Sequence, residues 1–333
     1  MSLRFSVIIP TFRRREPLLR CLRSLAVQTF PAGRFEVIVV DDGSPDGTYR
    51  GTDTLSWPFL LTLLREANSG PSAARNLGVS KARGEIVALC EDDVEAHPDW
   101  LGNADQYFND PGVVLVEGAT VIKGSQNAVR RFDRPDLHSF IPCNLFVRRE
   151  TYTRVGGYDP EFYDAQGGLY FREDADLGFR IMETGAGMRI APDVIVEHPP
   201  QFAGVEECFR HVRRYVFDPL LYRKHPALYR QMIEAKRVAG VTFHRPQHYL
   251  ALVYALSLCA GLGGLLLGSP FSLAVFGALG FVCSIIFRYK YQGARALRLD
   301  RIVETVAFLV LPIVYLRSFL NGCYRFKSFG PIL

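Results

Sequence analysis

The sequence predicts an α/β protein: a mostly parallel sheet with crossover helices, followed by a C-terminal group of apolar helices. Three observations carry this. Short apolar, β-branched runs recur in the first half, FSVIIP from Phe5, FEVIVV from Phe35 and IVALC from Ile86, each ending in polar residues. A strand, a helix and a strand in that order make a βαβ unit, with parallel strands and a right-handed crossover. From Tyr249 to Phe287 nearly every residue is apolar or small, whereas the first 245 read as a soluble part.

The chain is 333 residues long, enough for one large domain and a second element, with a net charge of +5. Between Val205 and Arg245 nine Lys/Arg stand against four Asp/Glu, so much of the basic character is concentrated there. Seven cysteines (21, 90, 143, 208, 259, 283 and 323) form no CxxC pair and no metal-site spacing, which points to reduced thiols in the cytosol. Met1–Pro10 lacks a charged stretch followed by an apolar core, so the N-terminal part is expected to stay unsecreted.

Phe5–Pro10 reads as a strand that ends in Thr11, and Pro17 opens a helix with Leu18, Leu19, Leu22 and Leu25 at helical spacing. Phe35–Val40 is a second buried strand, ending in Asp41-Asp42-Gly43-Ser44. Leu60–Arg65 is a third, followed by Asn68-Ser69-Gly70-Pro71 and a helix with Arg75 and Asn76 in its first turns. Arg75 is either an exposed helix residue or one that faces a nucleotide, since guanidinium matches phosphate and base edges. Ile86–Cys90 delivers Glu91, Asp92 and Asp93 to its carboxyl end. Three adjacent carboxylates repel one another, so they are either a solvated turn or a group compensated by a cation. Hard oxygen ligands at a strand end suit Mg²⁺ or Mn²⁺. Ligands of parallel sheets bind beyond the carboxyl ends of the strands, where Thr11, Asp41, Asp42 and the triplet converge.

The second block has a helix over Asp99–Asn109 and strands over Val113–Val121 and Cys143–Val147. A Gly156-Gly157-Tyr158-Asp159 turn and a Gly167-Gly168 loop follow. A helix starts at Glu173-Asp174 and runs to Gly185; its acidic first turn gains from the helix dipole whatever else it does. Val194–Glu197 is a short strand stopped by His198-Pro199-Pro200, with His198 either structural or a ligand.

The stretches FSVIIPTFRR, VIVVDDGS, NSGPSAARNLGV, EIVALCEDDVEAHPDWL, CNLFVRRETYTRVGGYDPEF and REDADLGFR, in that order, resemble the family 2 glycosyltransferases with a GT-A fold. The resemblance covers Phe5 to His198 and implies a Rossmann-like, mostly parallel sheet with the nucleotide-sugar in the N-terminal half. It implies that Thr11, Asp41, Asp42 and Arg75 contact the nucleotide, and that Glu91-Asp92-Asp93 is the DxD-type motif. Asp93 is similar to the metal-binding aspartate and Asp92 to the one near the ribose, while Glu91 departs from the common Asp. Asp174 resembles the catalytic base, Glu173 its usual neighbour, and His198 a histidine that completes the metal shell in some members. Transfer from a nucleoside diphosphate sugar needs the leaving charge neutralised, by Mn²⁺ or Mg²⁺, and a proton removed by a carboxylate. Displacement by the acceptor hydroxyl inverts the anomeric centre. A polyprenyl phosphate is already an anion and needs no base, so Asp174 favours a hydroxyl on a lipid-linked or cell-surface glycan.

Tyr249–Gly268 holds twenty residues without a charge and Phe271–Phe287 seventeen more. At about 1.5 Å per residue both reach across a hydrocarbon core of roughly 30 Å, the second only just. Arg288, Lys290, Arg295, Arg298 and Arg301 follow, which places them on the cytoplasmic side with the N-terminal domain. Val306–Leu316 contains Pro312 and, extended over 303–320, is a third span or a helix lying in the interface, the latter slightly favoured. Arg210, Arg213, Arg214, Arg223 and Lys224 alternate with aromatic residues at helical spacing, as suits an anionic lipid surface, a diphosphate or a solvated face. The expected organisation is thus a catalytic domain over 1–204, a basic collar over 205–245 and a membrane region over 246–333. The reading is a multi-pass, metal-dependent inverting glycosyltransferase of the cell membrane, with a nucleotide-sugar, a glycan acceptor and membrane lipids as partners. Paired spans also suggest a homo-oligomer, and nucleic acid is a poor fit. A polyprenyl-phosphate glycosyltransferase and a non-catalytic, membrane-tethered binding module are the alternatives.

Overall fold

The structure is a computed structural model and describes residues 2–48, 55–122, 138–199, 204–233, 235–238, 241–244, 246–292 and 302–330. Contacts gather into two units, residues 1–168 with 173–200, and residues 169–172 with 201–333. Pro200, Arg245, Arg295, Arg298 and Arg301, invoked above, lie outside the described residues.

The first unit is built on one eight-stranded sheet. In chain order its strands and helices begin β1 (Phe5–Thr11), α1 (Arg15–Ala26), β2 (Phe35–Asp41), β3 (Leu60–Arg65), α2 (Pro71–Lys81) and β4 (Ile86–Cys90). They continue with β5 (Glu95–Ala96), α3 (Trp100–Tyr107), β6 (Val113–Ile122), β7 (Asn144–Arg148) and α4 (Arg149–Arg154). The two-residue strand β8 (Tyr163–Asp164), α5 (Glu173–Glu183) and β10 (Gly187–His198) complete this unit, while β9 (Leu169–Tyr170), between β8 and α5 in the chain, belongs to the second unit. The sheet order is β3-β2-β1-β4-β7-β6-β10-β5, and the first four strands are mutually parallel. β7 runs antiparallel to both β4 and β6, and β10 lies parallel to β6. This is the mostly parallel sheet expected from the apolar runs, and β1, β2 and β4 are buried at nearly every position. Phe5, Phe35, Trp100 and Phe146 anchor the core on one sheet face with Leu18, Leu22 and Leu25 of α1.

β10 is much longer than the four residues expected. Pro192 interrupts the apolar pattern, and the register with β6 shifts between Ala191 and Ile195. A bulge absorbs the proline, which has no N–H to give the ladder. Asn144 of β7 closes the gap: its Nδ2 donates to the Ala119 and Val194 carbonyls at 2.8 and 2.9 Å, and its Oδ1 accepts from Trp100 Nε1 at 2.8 Å. Beyond the bulge Val196–His198 resume pairing with β6, which carries His198 to the sheet's edge beside Ile122.

The second unit contains α6 (Val205–Arg213), α7 (Asp218–Lys224), α8 (Pro226–Met232), a hairpin of β11 (Ala235–Val238) and β12 (Val241–His244), and three long helices, α9 (Pro246–Leu266), α10 (Pro270–Gln292) and α11 (Ile302–Arg325). The hairpin was not expected within the collar. Collar arginines are partly neutralised at home, since Arg210 pairs with Glu206 at 3.1 Å and Glu207 at 2.8 Å. α9 and α10 approach through small residues: a Cβ on Gly264 would meet Ser272 Oγ at 2.0 Å and one on Gly261 would meet Phe276 Cβ at 3.3 Å. α11 is a single helix through Pro312. That proline leaves the Phe308 carbonyl without its helical donor, and Ser284 Oγ of α10 supplies one at 2.7 Å. Among the described residues two helices, Gln247–Leu266 and Ala307–Arg325, are long and apolar enough to cross a membrane, and Pro270–Ile286 is a shorter apolar segment.

Candidate active site

Four strand ends define the site. Asp42 N donates to the Thr11 carbonyl at 2.9 Å, continuing the β1–β2 ladder past its end. Thr11 Oγ1 then donates to Asp92 Oδ2 at 2.7 Å, tying β1 to the triplet after β4. Across the sheet, β10 delivers His198. Its Nδ1 lies 2.7 Å from the Pro199 carbonyl, an acceptor only, so Nδ1 donates there and Nε2 is the nitrogen turned toward the triplet. Nε2 faces Asp93 Oδ1 at 3.5 Å and Glu91 Oε2 at 4.0 Å.

Ligand atoms of Glu91, Asp93 and His198 all lie within 4.8 Å of one another. Asp93 Oδ1 is buried and accepts no hydrogen bond, an expensive arrangement unless something cationic meets it. Two carboxylates and an imidazole whose outer N–H is held by a carbonyl fit a divalent ion such as Mn²⁺ or Mg²⁺. Glu91, which departs from the common Asp of the motif, lies with Asp93 and His198. Asp92 points elsewhere, to Thr11 and to Arg14, whose Nη1 lies 3.1 Å from Asp92 Oδ1 and 2.7 Å from Asp93 Oδ2. Burial pushes the Asp92 carboxyl up to about 6, because Arg14 and Thr11 offset it only in part.

Arg75 links the triplet to α5. It is 3% exposed, so it is not the exposed helix residue that was one of its two readings. Its Nη2 lies 3.4 Å from Glu91 Oε1, its guanidinium lies 5.3 Å from the centroid of the Tyr158 ring, and Nε and Nη1 are buried without acceptors. Burial works against this charge, but Tyr158, Asp174 and Glu91 outweigh it and raise the Arg75 pKa. Asp174, in the first turn of α5, is pushed up to about 6 by burial, against the pull of Arg75 and the Tyr158 phenol, with Glu91 adding to the rise. Asn76 fixes Tyr158 at both ends of its peptide, accepting from its N–H at 2.9 Å and donating to its carbonyl at 2.8 Å. Glu173 is buried at 3% exposure and acts on Arg75 as a further negative charge.

Asp41 and Asp42 form a separate group. Asp41 Oδ1 accepts from Ser44 N at 3.1 Å and its Oδ2 lies 3.5 Å from Arg65 Nε. Asp42 accepts from Ser69 N at 2.7 Å and Gly70 N at 3.0 Å, so it holds the turn that opens α2. Gly70 adopts φ +87°, and a Cβ there would strike the Tyr163 ring at 2.7 Å. Sequence reasoning passed over Arg14 and Tyr158. The signal for Arg14 was its place three residues past β1, on the edge where the triplet stands.

The chain matches the description Glycosyl transferase family 2 over residues 6–178. It is 31% identical over 266 residues to Glycosyltransferase AglE of Haloferax volcanii, covering 74% of this chain and 83% of that protein. Among solved structures it resembles mannosyltransferase PcManGT from Pyrobaculum calidifontis in complex with GDP-Man and Mn²⁺, with TM-score 0.56 and 21% identity over 96% of this chain and 88% of that one. It likewise resembles Staphylococcus aureus TarS 1–349 in complex with UDP-GlcNAc, with TM-score 0.53 and 16% identity over 98% and 93% of the two chains. The sheet, the helices and these relatives agree with the GT-A fold expected, and the chain belongs to glycosyl transferase family 2.

Proposed function

We propose that this glycosyltransferase is a metal-dependent, inverting enzyme that moves a sugar from a nucleoside diphosphate to a hydroxyl of a lipid-linked or cell-surface glycan. The observation that carries the reading is the Glu91–Asp93–His198 cluster joined through Arg75 to Asp174 on one edge of the sheet. Glu91, Asp93 and His198 hold a divalent ion, which when bound offsets the charge of the leaving diphosphate. Thr11, Asp41, Asp42, Arg75 and Asp92 orient the nucleotide. Asp174 takes the acceptor's proton as the acceptor oxygen bonds to the anomeric carbon; the bond from that carbon to phosphate breaks, and its electron pair leaves with the nucleoside diphosphate. Arg75 keeps Asp174 in place and charged, and Glu173 supports Arg75. The PcManGT complex with GDP-Man and Mn²⁺ supports a nucleotide-sugar donor with a divalent metal.

The apolar helices support membrane anchoring. Only 22% of the Gln247–Leu266 window is buried, and Leu256, Leu262, Leu266 and Phe271 are mostly exposed, a pattern suited to lipid rather than water. The catalytic part stands on the cytoplasmic side, as the basic residues after α10 favour. The test is turnover by detergent-purified protein given GDP-mannose, UDP-GlcNAc and other nucleotide-sugars with Mn²⁺ or Mg²⁺, with and without a membrane lipid extract. Metal-dependent turnover of one donor, stimulated by lipid, is expected. No turnover and no metal-dependent nucleotide binding would sink the reading.

A further inference from the structure

The acidic cluster carries two arginines of different character. Arg75 is fixed, 3% exposed and enclosed by Glu91, Asp174 and Tyr158. Arg14 is the residue before α1, its side chain 50% exposed, and it reaches Asp92 and Asp93 through a single nitrogen, Nη1. Its neighbour Arg13 is held in the left-handed region at φ 57°, with its N–H donating to Ser44 Oγ at 2.9 Å. A non-glycine residue is kept there only when its surroundings over-determine it. The backbone under Arg14 is therefore pinned while its long side chain stands at the water's edge.

We propose that Arg14 clamps the donor's diphosphate: it is the counter-charge of Asp92 and Asp93 while the site is empty and transfers to the diphosphate oxygens when the donor is bound. This rests on the donor-site reading above. Charge balance supports it. Glu91, Asp92 and Asp93 bring three negative charges, and Arg14 with Arg75 brings two positive ones, which leaves one negative charge. A divalent cation makes the balance one positive, and a diphosphate with two negative charges returns it to one negative. The ion and the diphosphate cancel, so the loaded site carries the same net negative charge as the empty one and still calls for Arg14 as a counter-charge. The two cations also address different oxygens of Asp93, since Arg14 takes Oδ2 and the oxygen without a hydrogen bond, facing His198, is Oδ1. The metal's charge repels Arg14 without needing its ligand position, and the arriving diphosphate offers the planar guanidinium a better, bidentate partner.

The test uses full-length, detergent-purified wild-type, Arg14→Met and Arg14→Lys proteins. Mn²⁺ binding alone is followed by the electron paramagnetic resonance of the free ion, and GDP and UDP binding by calorimetry with Mn²⁺ saturating. Arg14→Met removes a cation that opposes the metal and a partner of the diphosphate. Its Mn²⁺ affinity should rise severalfold while its affinity for the preferred nucleotide falls about tenfold or more. Arg14→Lys keeps the charge and should recover part of the nucleotide affinity, which separates loss of charge from loss of fold. Wild-type protein that binds Mn²⁺ and a nucleotide, with Arg14→Met binding that nucleotide within about twofold of it, overturns this inference alone; the twofold limit is far inside the tenfold expected of a lost charged hydrogen bond. Wild-type protein that binds neither nucleotide overturns the donor-site reading and this inference together.

Discussion

Asp174→Asn is the sharpest perturbation of the proposed chemistry. Asparagine keeps the shape of the side chain and its place in the first turn of α5, but it cannot take a proton. A positioned general base contributes about 10²–10⁴-fold, so kcat should fall by that factor while donor affinity stays within about threefold of wild type. The wild-type pH profile gives a second, independent measure. Burial raises the Asp174 carboxyl from its usual range to about 6, and the working form is the carboxylate. Activity is therefore present above that pH and lost as pH falls through it. Asp174 alone makes roughly 0.9 of the protein competent at pH 7 and roughly 0.1 at pH 5, a tenfold change, and Asp92, raised to the same range, can only steepen that loss. The assay is the initial rate of donor hydrolysis and transfer from pH 5 to pH 8. Mn²⁺ is kept saturating, and its binding is measured at each pH so that protonation of His198 is accounted for separately. A variant within tenfold of wild-type kcat, or a flat wild-type profile down to pH 5, would refute Asp174 as the base.

Other outcomes follow from the same geometry. Asp93→Ala should abolish Mn²⁺ binding, and His198→Ala should weaken it at least about tenfold, read by ion titration without any substrate. Retained affinity in both would move the metal elsewhere. Asn144→Ala leaves the Trp100 N–H and two carbonyls at the β10 bulge without partners; at about 1 kcal/mol each the loss is about 3 kcal/mol, a Tm lower by roughly 6–12 °C. A drop under roughly 2 °C by calorimetry would mean the bulge is held by something else, since it corresponds to under about 1 kcal/mol. The full chain expressed in cells should stay in the membrane pellet through alkaline carbonate extraction and leave it only with detergent. Release by carbonate would show that α9, α10 and α11 do not span.

The primary sequence by itself determined the local structure and its sidedness. Apolar runs of Phe5, Phe35 and Ile86 could only be buried strands, their spacing made them parallel, and parallel strands put Thr11, Asp41, Asp42 and the triplet at one edge. Uncharged runs of membrane length pointed to long apolar helices after the sheet domain. What tertiary structure decided was every relation between residues far apart in the chain. Arg14 meets Asp92 and Asp93, and Asp93 meets His198 more than a hundred residues later. Glu91 faces His198, and Arg75 is buried with Glu91 and the Tyr158 ring beside it. Neither Pro192 nor Pro312 breaks the element that contains it. A bulge mended by Asn144 absorbs the first, and Ser284 serves the carbonyl left by the second. The physical reason is common to all these cases. Periodicity and propensity act over a few residues, whereas the partner of a buried charge or an orphaned carbonyl comes from whichever element the fold brings beside it.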